Sequence, residues 1–441
     1  MPPKIGLLLT GHPDYQNDLG LQFAQEAVKA LQARGVEVLF EPVALTRPLP
    51  AREAAIRLAA QDPDGVITFL GTWIECPTAL QAIREIEHLP FGVWGFGMFP
   101  WQGKRESTGS LVAAAVLKGA LERMQFPAAY VVGLPSEAPA IDRAAVFCRA
   151  AHAIKRLKRT RLALIGYAAM GMYPGTFDHV LLRRRVGPEV EHTDTYMLVR
   201  AAEALPDGVV RLTADELRTK AKVRVADDRL LKAARLAAGL RQILGDGAFD
   251  AVNVKCQYEL SQQYGMTACV PLSLIADGGI VAGCEGDVPT TVTQCLLQYL
   301  SPETVCYGDV LDLRGNQMLL SSCGFAPFSL CGSPGRASIC EFDHPGFDGV
   351  IASFTLKCGP VTFARLVEGS HGDYRLNYGT GVGVETELRQ GRFPALEVVL
   401  DGDPQKLWDT VASQHLALGY GDVSGEIEDV CRWLGIEAVR I

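Results

Sequence analysis

Several things are missing from this chain, and each absence removes a class of function. No apolar run in the 441 residues approaches the roughly 18 to 20 that a membrane span requires, and even 268–284 is interrupted by Pro271 and Asp277. Clustered basic charge is also lacking. The net charge of −8 gives no footprint for a phosphate backbone or an anionic membrane, so neither nucleic acid nor a membrane is an expected partner. There is no P-loop, no G-x-S-x-G elbow, and no G-x-G-x-x-G placed after a strand; GTGVG at 379–383 has the wrong spacing and sits among β signals. No two of the twelve cysteines form a C-x-x-C pair, so no zinc knuckle and no disulfide is expected. Ten of the twelve nevertheless lie from Cys256 onward, a skew that nothing in the pattern explains. The opening Met-Pro-Pro-Lys passes straight into a strand-like run at 5–9, without the apolar segment of a signal peptide, and a cytoplasmic location is expected.

What is present reads as α/β. IGLLLTG (5–11), VEVLFEP, GVITFLG, FGVWGFG and AAYVVG alternate with amphipathic helical patterns, which predicts parallel strands with ligand groups at their carboxyl ends. A Pro-rich stretch at 135–139 marks a boundary. A second series follows, with strands at 162–168, near 189–195, at 251–256 and at 280–286, and helices at 176–185, 227–244 and 289–299. KRLKRTR at 155–161 is expected to be a solvated helix end without chemistry. Beyond about 305, short alternating runs separated by Gly, Pro and Asp are β signals, closed by one helix at about 424–434. The expected architecture is two doubly wound parallel-sheet domains, 1–139 and 140–305, followed by a β-rich, barrel-like domain at 306–441 that includes the closing helix.

Candidate chemistry is acidic. CEGD places Glu285 and Asp287 two apart at the end of an apolar strand, where strand alternation would point both to one face; an N-cap for the following helix is the alternative for Asp287. KCQYELSQQYG offers Lys255, Gln257, Glu259 and Gln263 after another buried strand, as a polar pocket floor or a solvated edge. His415 stands among small and apolar residues in SQHLALGYGD, the setting of a hydrogen-bonded core histidine as much as of a ligand.

These segments occur in an order that resembles the L-fucose and L-arabinose isomerase family. LPFGVWGFGMFPWQGKRESTGSLVAAA, KCQYELSQQYG, GCEGDVPTTVTQCLLQYL with YGDVLDL, and QHLALGYGDVSGEIEDVCRWLGIEAVRI look like successive segments of that family across effectively the whole chain. The resemblance implies a metal-dependent aldose–ketose isomerase. It makes Glu259 and Glu285 metal-binding carboxylates, with Asp287 as an alternative or additional ligand and His415 as the imidazole; Glu259, Glu285 and Asp287 are the candidates for proton transfer. Manganese is the metal it implies, and an oxygen-rich donor set with one imidazole suits Mn²⁺, Mg²⁺ or Co²⁺ better than Zn²⁺. A divalent cation would stabilise the charge of a cis-enediol intermediate while a nearby carboxylate moves the proton between C1 and C2.

The pattern also departs from the family. Its N-terminal arginine motif is absent from TGHPDYQND, where His12, Asp14 and Gln16 stand instead, and Asp312 is the residue of YGDVLDL that fills the place of a further family histidine. Gln257, Gln263, His12, Trp73, Trp101 and Arg105 are the substrate-binding candidates, and Arg336 and Arg365 are either contacts for an anionic substituent or surface charges. The family resemblance implies a homohexamer and a small sugar as the partner. Two rivals share these features: a retro-aldol cleavage through the same kind of intermediate, and a non-catalytic sugar-binding protein.

Overall fold

The structure, a computed structural model, describes residues 2–388 and 390–441. It divides into two compact units, residues 1–155 with 425–435, and residues 156–424 with 436–441.

The first unit is built on five parallel strands, Lys4–Thr10 (β1), Glu37–Phe40 (β2), Gly65–Leu70 (β3), Phe91–Gly95 (β4) and Ala129–Val132 (β5), in the order β2-β1-β3-β4-β5. Every residue of β3 and β4 is buried, as the near-continuous apolar runs of a sheet covered on both faces require. The helix Cys76–Ile86 shows the complementary pattern, turning Ala79, Ala82, Ile83 and Ile86 inward at helical spacing. The strand order reverses between β1 and β3, the topological position at which such sheets bind ligands.

The last helix, Ser424–Leu434, was expected with the β-rich part but groups with the first unit. Its anchors explain this. Asp429 accepts two hydrogen bonds from Arg143 at 2.7 and 2.8 Å, Glu426 accepts one from Arg149 at 2.8 Å, and Trp433 packs edge-on against Phe126. The helix Ala138–Arg159 runs unbroken through the expected boundary at 139/140, and KRLKRTR begins within it. Its Arg156 guanidinium lies 4.0 Å from the Tyr299 ring centroid.

The second unit contains a four-stranded parallel sheet, Arg161–Ile165 (β6), Glu189–Thr193 (β7), Ala251–Val254 (β8) and Val281–Cys284 (β9), in the order β9-β8-β6-β7. A closed six-strand barrel follows, formed by Cys306–Arg314 (β10), Gln317–Ser321 (β11), Gly359–Glu368 (β12), Tyr374–Val384 (β13), Ala395–Leu400 (β14) and His415–Tyr420 (β15). Its circuit is β12-β15-β10-β11-β14-β13 and back to β12, with Glu437–Arg440 (β16) added in parallel on β13. Met318, Leu320, Phe363, Leu396, Val398, Leu416 and Leu418 pack together as its core, and closure leaves few edge groups unpaired. Helices Thr195–Glu203 and Asp207–Lys220, absent from the sequence reading, pack on the long helix Asp227–Gly247. Among the described residues no helix is long and apolar enough to cross a membrane.

Candidate active site

The acidic turn after β9 is held in a conformation that few sequences tolerate. Glu285 has φ 67° and Gly286 φ 72°, so two consecutive residues are left-handed and strand alternation stops at Cys284. A Cβ on Gly286 would lie 2.2 Å from the Tyr167 carbonyl, so only glycine fits there. Buried Asn253 of β8 clamps the turn, accepting from the Gly286 amide at 2.7 Å and donating to the Cys284 and Asp287 carbonyls at 3.1 and 3.2 Å.

Asp287 is the N-cap of helix Val288–Leu300, its Oδ1 accepting from the Thr290 amide at 3.0 Å. Arg365 of β12 donates to its Oδ2 and Oδ1 at 2.8 and 3.3 Å, and His415 Nδ1 lies 2.9 Å from Oδ2. Arg365 is therefore neither a surface charge nor a free substrate contact, because at 1% exposure it is committed to a buried ion pair. Burial works against the ionised form, but Arg365 first and His415 next hold the Asp287 carboxyl well below its ordinary range. With both oxygens engaged, Asp287 orients His415 from behind.

The other ring nitrogen of His415 faces two more carboxylates, Glu285 at 3.5 Å and Asp309 at 3.3 Å. Asp309 arrives by strand pairing: it stands opposite His415 in the antiparallel register of β10 and β15. Tyr307, also on β10, meets the imidazole edge-on at 4.9 Å. Burial lowers the imidazole's proton affinity, but Asp287, Asp309 and Glu285 outweigh it and hold His415 well above its ordinary value. Glu285, 5% exposed, is pushed by burial up to about 7, with the nearby Cys323 adding to the rise and His415 opposing it.

This cluster forms one wall of a cavity of about 360 Å³, at the small end of the roughly 300 to 1,000 Å³ typical of ligand sites. Glu285, Asp309, Gln257 and Gln414 supply polar groups, and Phe342, Phe347, Phe393 and His344 an aromatic wall. Phe342 and Phe347 stack at 5.3 Å. Gln257 is 2% exposed and its Oε1 has no partner among the described residues, an acceptor left for a ligand.

The sequence candidates divide accordingly. Glu285, Asp287, His415 and Gln257 come together. Glu259 does not reach the cavity wall; it is half-exposed and pairs with Lys255 at 3.0 Å. Gln263 is exposed and absent from the lining. Asp312 pairs with Arg314 at 2.8 Å, and its place is taken by Asp309, which sequence reasoning missed because only the barrel register sets it beside His415. Arg336 is exposed.

His12, Trp73, Trp101 and Arg105 belong to the first unit. His12, half-buried, follows β1 and its amide donates to Thr72 Oγ1 at 3.0 Å, while Asn17 Oδ1 and Thr108 Oγ1 of the same unit are buried without partners among the described residues. Trp73 packs against this unit's core, and Trp101 and Arg105 are exposed on a hairpin of Phe99–Trp101 and Lys104–Glu106.

Among the described residues, no group of three or more His, Cys, Asp or Glu side chains is placed so that it could hold a metal ion as it stands. The donors at His415 fit a hard cation in kind, however: two carboxylates on the cavity wall and one imidazole nitrogen buried behind them, with Asp287 as the outer carboxylate that fixes the ring.

No family model matches the chain. It is 23% identical over 397 residues to the sulfoquinovose isomerase of Alkalicoccus urumqiensis, covering 88% of each chain. It is 24% identical over 374 residues to the sulfoquinovose isomerases of Priestia aryabhattai and Priestia megaterium, covering 80% of each. Among solved structures it aligns with a LacI family transcriptional regulator from Arthrobacter sp. FB24 in complex with lactose, at a TM-score of 0.16, 15% identity, and 60% and 80% coverage of this chain and that one. The arabinose-transporter periplasmic binding protein of Shewanella sp. ANA-3 gives a TM-score of 0.18, 11% identity, and 68% and 87% coverage. Scores this low carry no structural argument.

Proposed function

We propose that this protein is an aldose–ketose isomerase acting on a small sugar, sulfoquinovose or a relative of it, with a divalent cation held by Glu285, Asp309 and His415. The single observation that carries the reading is the buried relay Arg365, Asp287, His415 ending on two carboxylates at the cavity wall. Similarity to sulfoquinovose isomerases over most of the chain supports the sugar-isomerase class.

Isomerisation moves a proton between C1 and C2 and develops negative charge on the two oxygens. A bound Mn²⁺, Mg²⁺ or Co²⁺ supplies charge stabilisation for that oxygen pair. Glu285 is the proton carrier: burial raises its carboxyl to about 7 in the metal-free site, and a bound cation would hold it as the carboxylate that takes the proton from one carbon and returns it to the other. Gln257 Oε1 accepts from a sugar hydroxyl, and the Phe342 and Phe347 rings cover the C–H face of the sugar. Asp287 keeps His415 Nδ1 protonated and its ring fixed. We further propose that the protein is a homohexamer.

The test is a sugar panel of sulfoquinovose, L-fucose and L-arabinose, run on chelated protein and after return of Mn²⁺, Mg²⁺ or Co²⁺, with products analysed by carbon number. Metal-restored ketose of unchanged carbon number supports the reading. Shorter fragments would indicate retro-aldol cleavage, and binding without conversion a sugar-binding protein.

A further inference from the structure

Two of the cysteines that crowd the later part of the chain, Cys256 and Cys323, line the cavity, and two more, Cys269 and Cys284, stand behind them. Cys256 lies just past β8, Cys284 ends β9, Cys269 opens helix Cys269–Asp277, and Cys323 follows β11. The Cys256 and Cys323 thiols each interact with those of Cys269 and Cys284. Cys269 Sγ also donates to the Cys323 carbonyl at 3.5 Å. All four are free thiols, three of them buried and Cys323 only partly so. Cys256 and Cys323 line the cavity, and Cys323 Sγ lies 4.0 Å from Tyr307 Oη. The acid–base account above makes no use of these thiols.

We propose that Cys323 is a site of reversible oxidation by small hydroperoxides entering the cavity, closing a disulfide with one of its two flanking thiols, Cys269 or Cys284. The Cys323 sulfur attacks the peroxide; the O–O bond breaks, one oxygen goes to sulfur as a sulfenic acid, and water or an alcohol leaves. The neighbouring thiol then attacks that sulfur, the S–O bond breaks, and water leaves. Two thiols have lost two protons and two electrons, which reduce the hydroperoxide to water and an alcohol, or to two waters. A dithiol reverses the step by exchange. The geometry favours a disulfide over further oxidation, because a resolving thiol stands on either side. Cys323 and Glu285 line the same cavity, so the cross-link changes the surroundings of the proton carrier; that consequence alone rests on the proposed function.

The experiment treats the full-length reduced protein with hydrogen peroxide, quenches in acid with an alkylating agent, and maps peptides by mass spectrometry beside a turnover assay. The expected result is the loss of two of the twelve alkylatable thiols per chain, a Cys323 peptide linked to that of Cys269 or Cys284, and full recovery with dithiothreitol. Cys323→Ser should abolish the link. Should that variant fail to fold, the wild-type peptide map decides by itself. Cys323 left as thiol, Cys323 found as sulfinic acid without a cross-link, loss confined to exposed Cys358, or a thiol-bound metal in the reduced protein would each overturn the proposal. Because the map is read without any substrate, a protein inactive on every sugar would refute the function and leave this inference standing or falling on its own peptides.

Discussion

Replacing Asp287 by Asn isolates charge from shape at the centre of the site. Asn still caps helix Val288–Leu300 through Thr290, so the helix start is kept. What is lost is the negative charge between Arg365 and His415. Arg365 retains the Pro174 carbonyl at 2.9 Å and the His415 carbonyl at 3.2 Å, neither of which neutralises a guanidinium at 1% exposure. Leaving one member of a buried pair alone costs about 3–5 kcal/mol, which lowers the melting point of a unit this size by on the order of ten degrees. Loss of the ring's orienting partner should cost a further 10- to 100-fold or so in metal affinity. Thermal unfolding followed by circular dichroism, with hydrogen exchange in β9 and β15 to assign the transition, reads the first effect; metal titration reads the second. Adding Arg365→Met should restore most of the stability and none of the metal affinity, because it removes the guanidinium charge that Asp287→Asn leaves buried and unpaired. If Asp287→Asn melts with the parent and binds metal equally well, the relay does not exist as described.

Other outcomes follow from the same geometry. Asp309→Asn should weaken binding of Mn²⁺, read by calorimetry, by at least about tenfold with little change in melting, since Asp309 serves the cavity and not the core. Glu259→Gln, on the solvent side with Lys255, should alter stability by no more than about 0.5 kcal/mol and leave turnover within about a factor of two; a large loss of turnover would restore Glu259 to the site. In the first unit, Asp64 accepts from the Lys4 amide and pairs with His152, each at 2.8 Å. Burial raises its pKa, but His152 foremost and Lys4 next bring the net value below ordinary. Because the folded value is depressed, the stabilisation is present above the unfolded value of about 3.9 and is lost as pH falls through the folded one. Asp64→Asn should therefore cost about 1–3 kcal/mol at pH 7 and almost nothing near pH 2, measured as melting points at both.

The chain's own pattern carried much of this fold and part of the site. Fully apolar runs such as GVITFL read as buried parallel strands, and the short alternating runs beyond 305 as the strands of a β-rich domain. The helix Asp207–Lys220 carries Val210, Thr213, Ala214 and Leu217 at helical spacing, yet its polar letters hid it between clearer signals. Glu285, Asp287 and His415 were visible as residues, but not their division of labour. Strand alternation predicted that Glu285 and Asp287 share a face; the left-handed turn instead sends one to each nitrogen of His415. Arg365 was visible as a charge but not its place behind Asp287, and Asp309 was missed, because each depends on the barrel, which brings residues 50 and 106 positions away beside His415. The four thiols, scattered over nearly seventy positions, meet only because β8, β9, a helix start and a barrel loop converge.

The central claim is proton transfer by Glu285 at C2 of a sugar. The most direct measurement incubates the metal-loaded protein with C2-deuterated sulfoquinovose in ordinary water and follows ketose formation and deuterium release by NMR, beside Glu285→Gln. The account predicts ketose with deuterium passing to solvent, and a rate at least about 10²-fold lower in the variant. An unchanged rate of conversion in Glu285→Gln would contradict it.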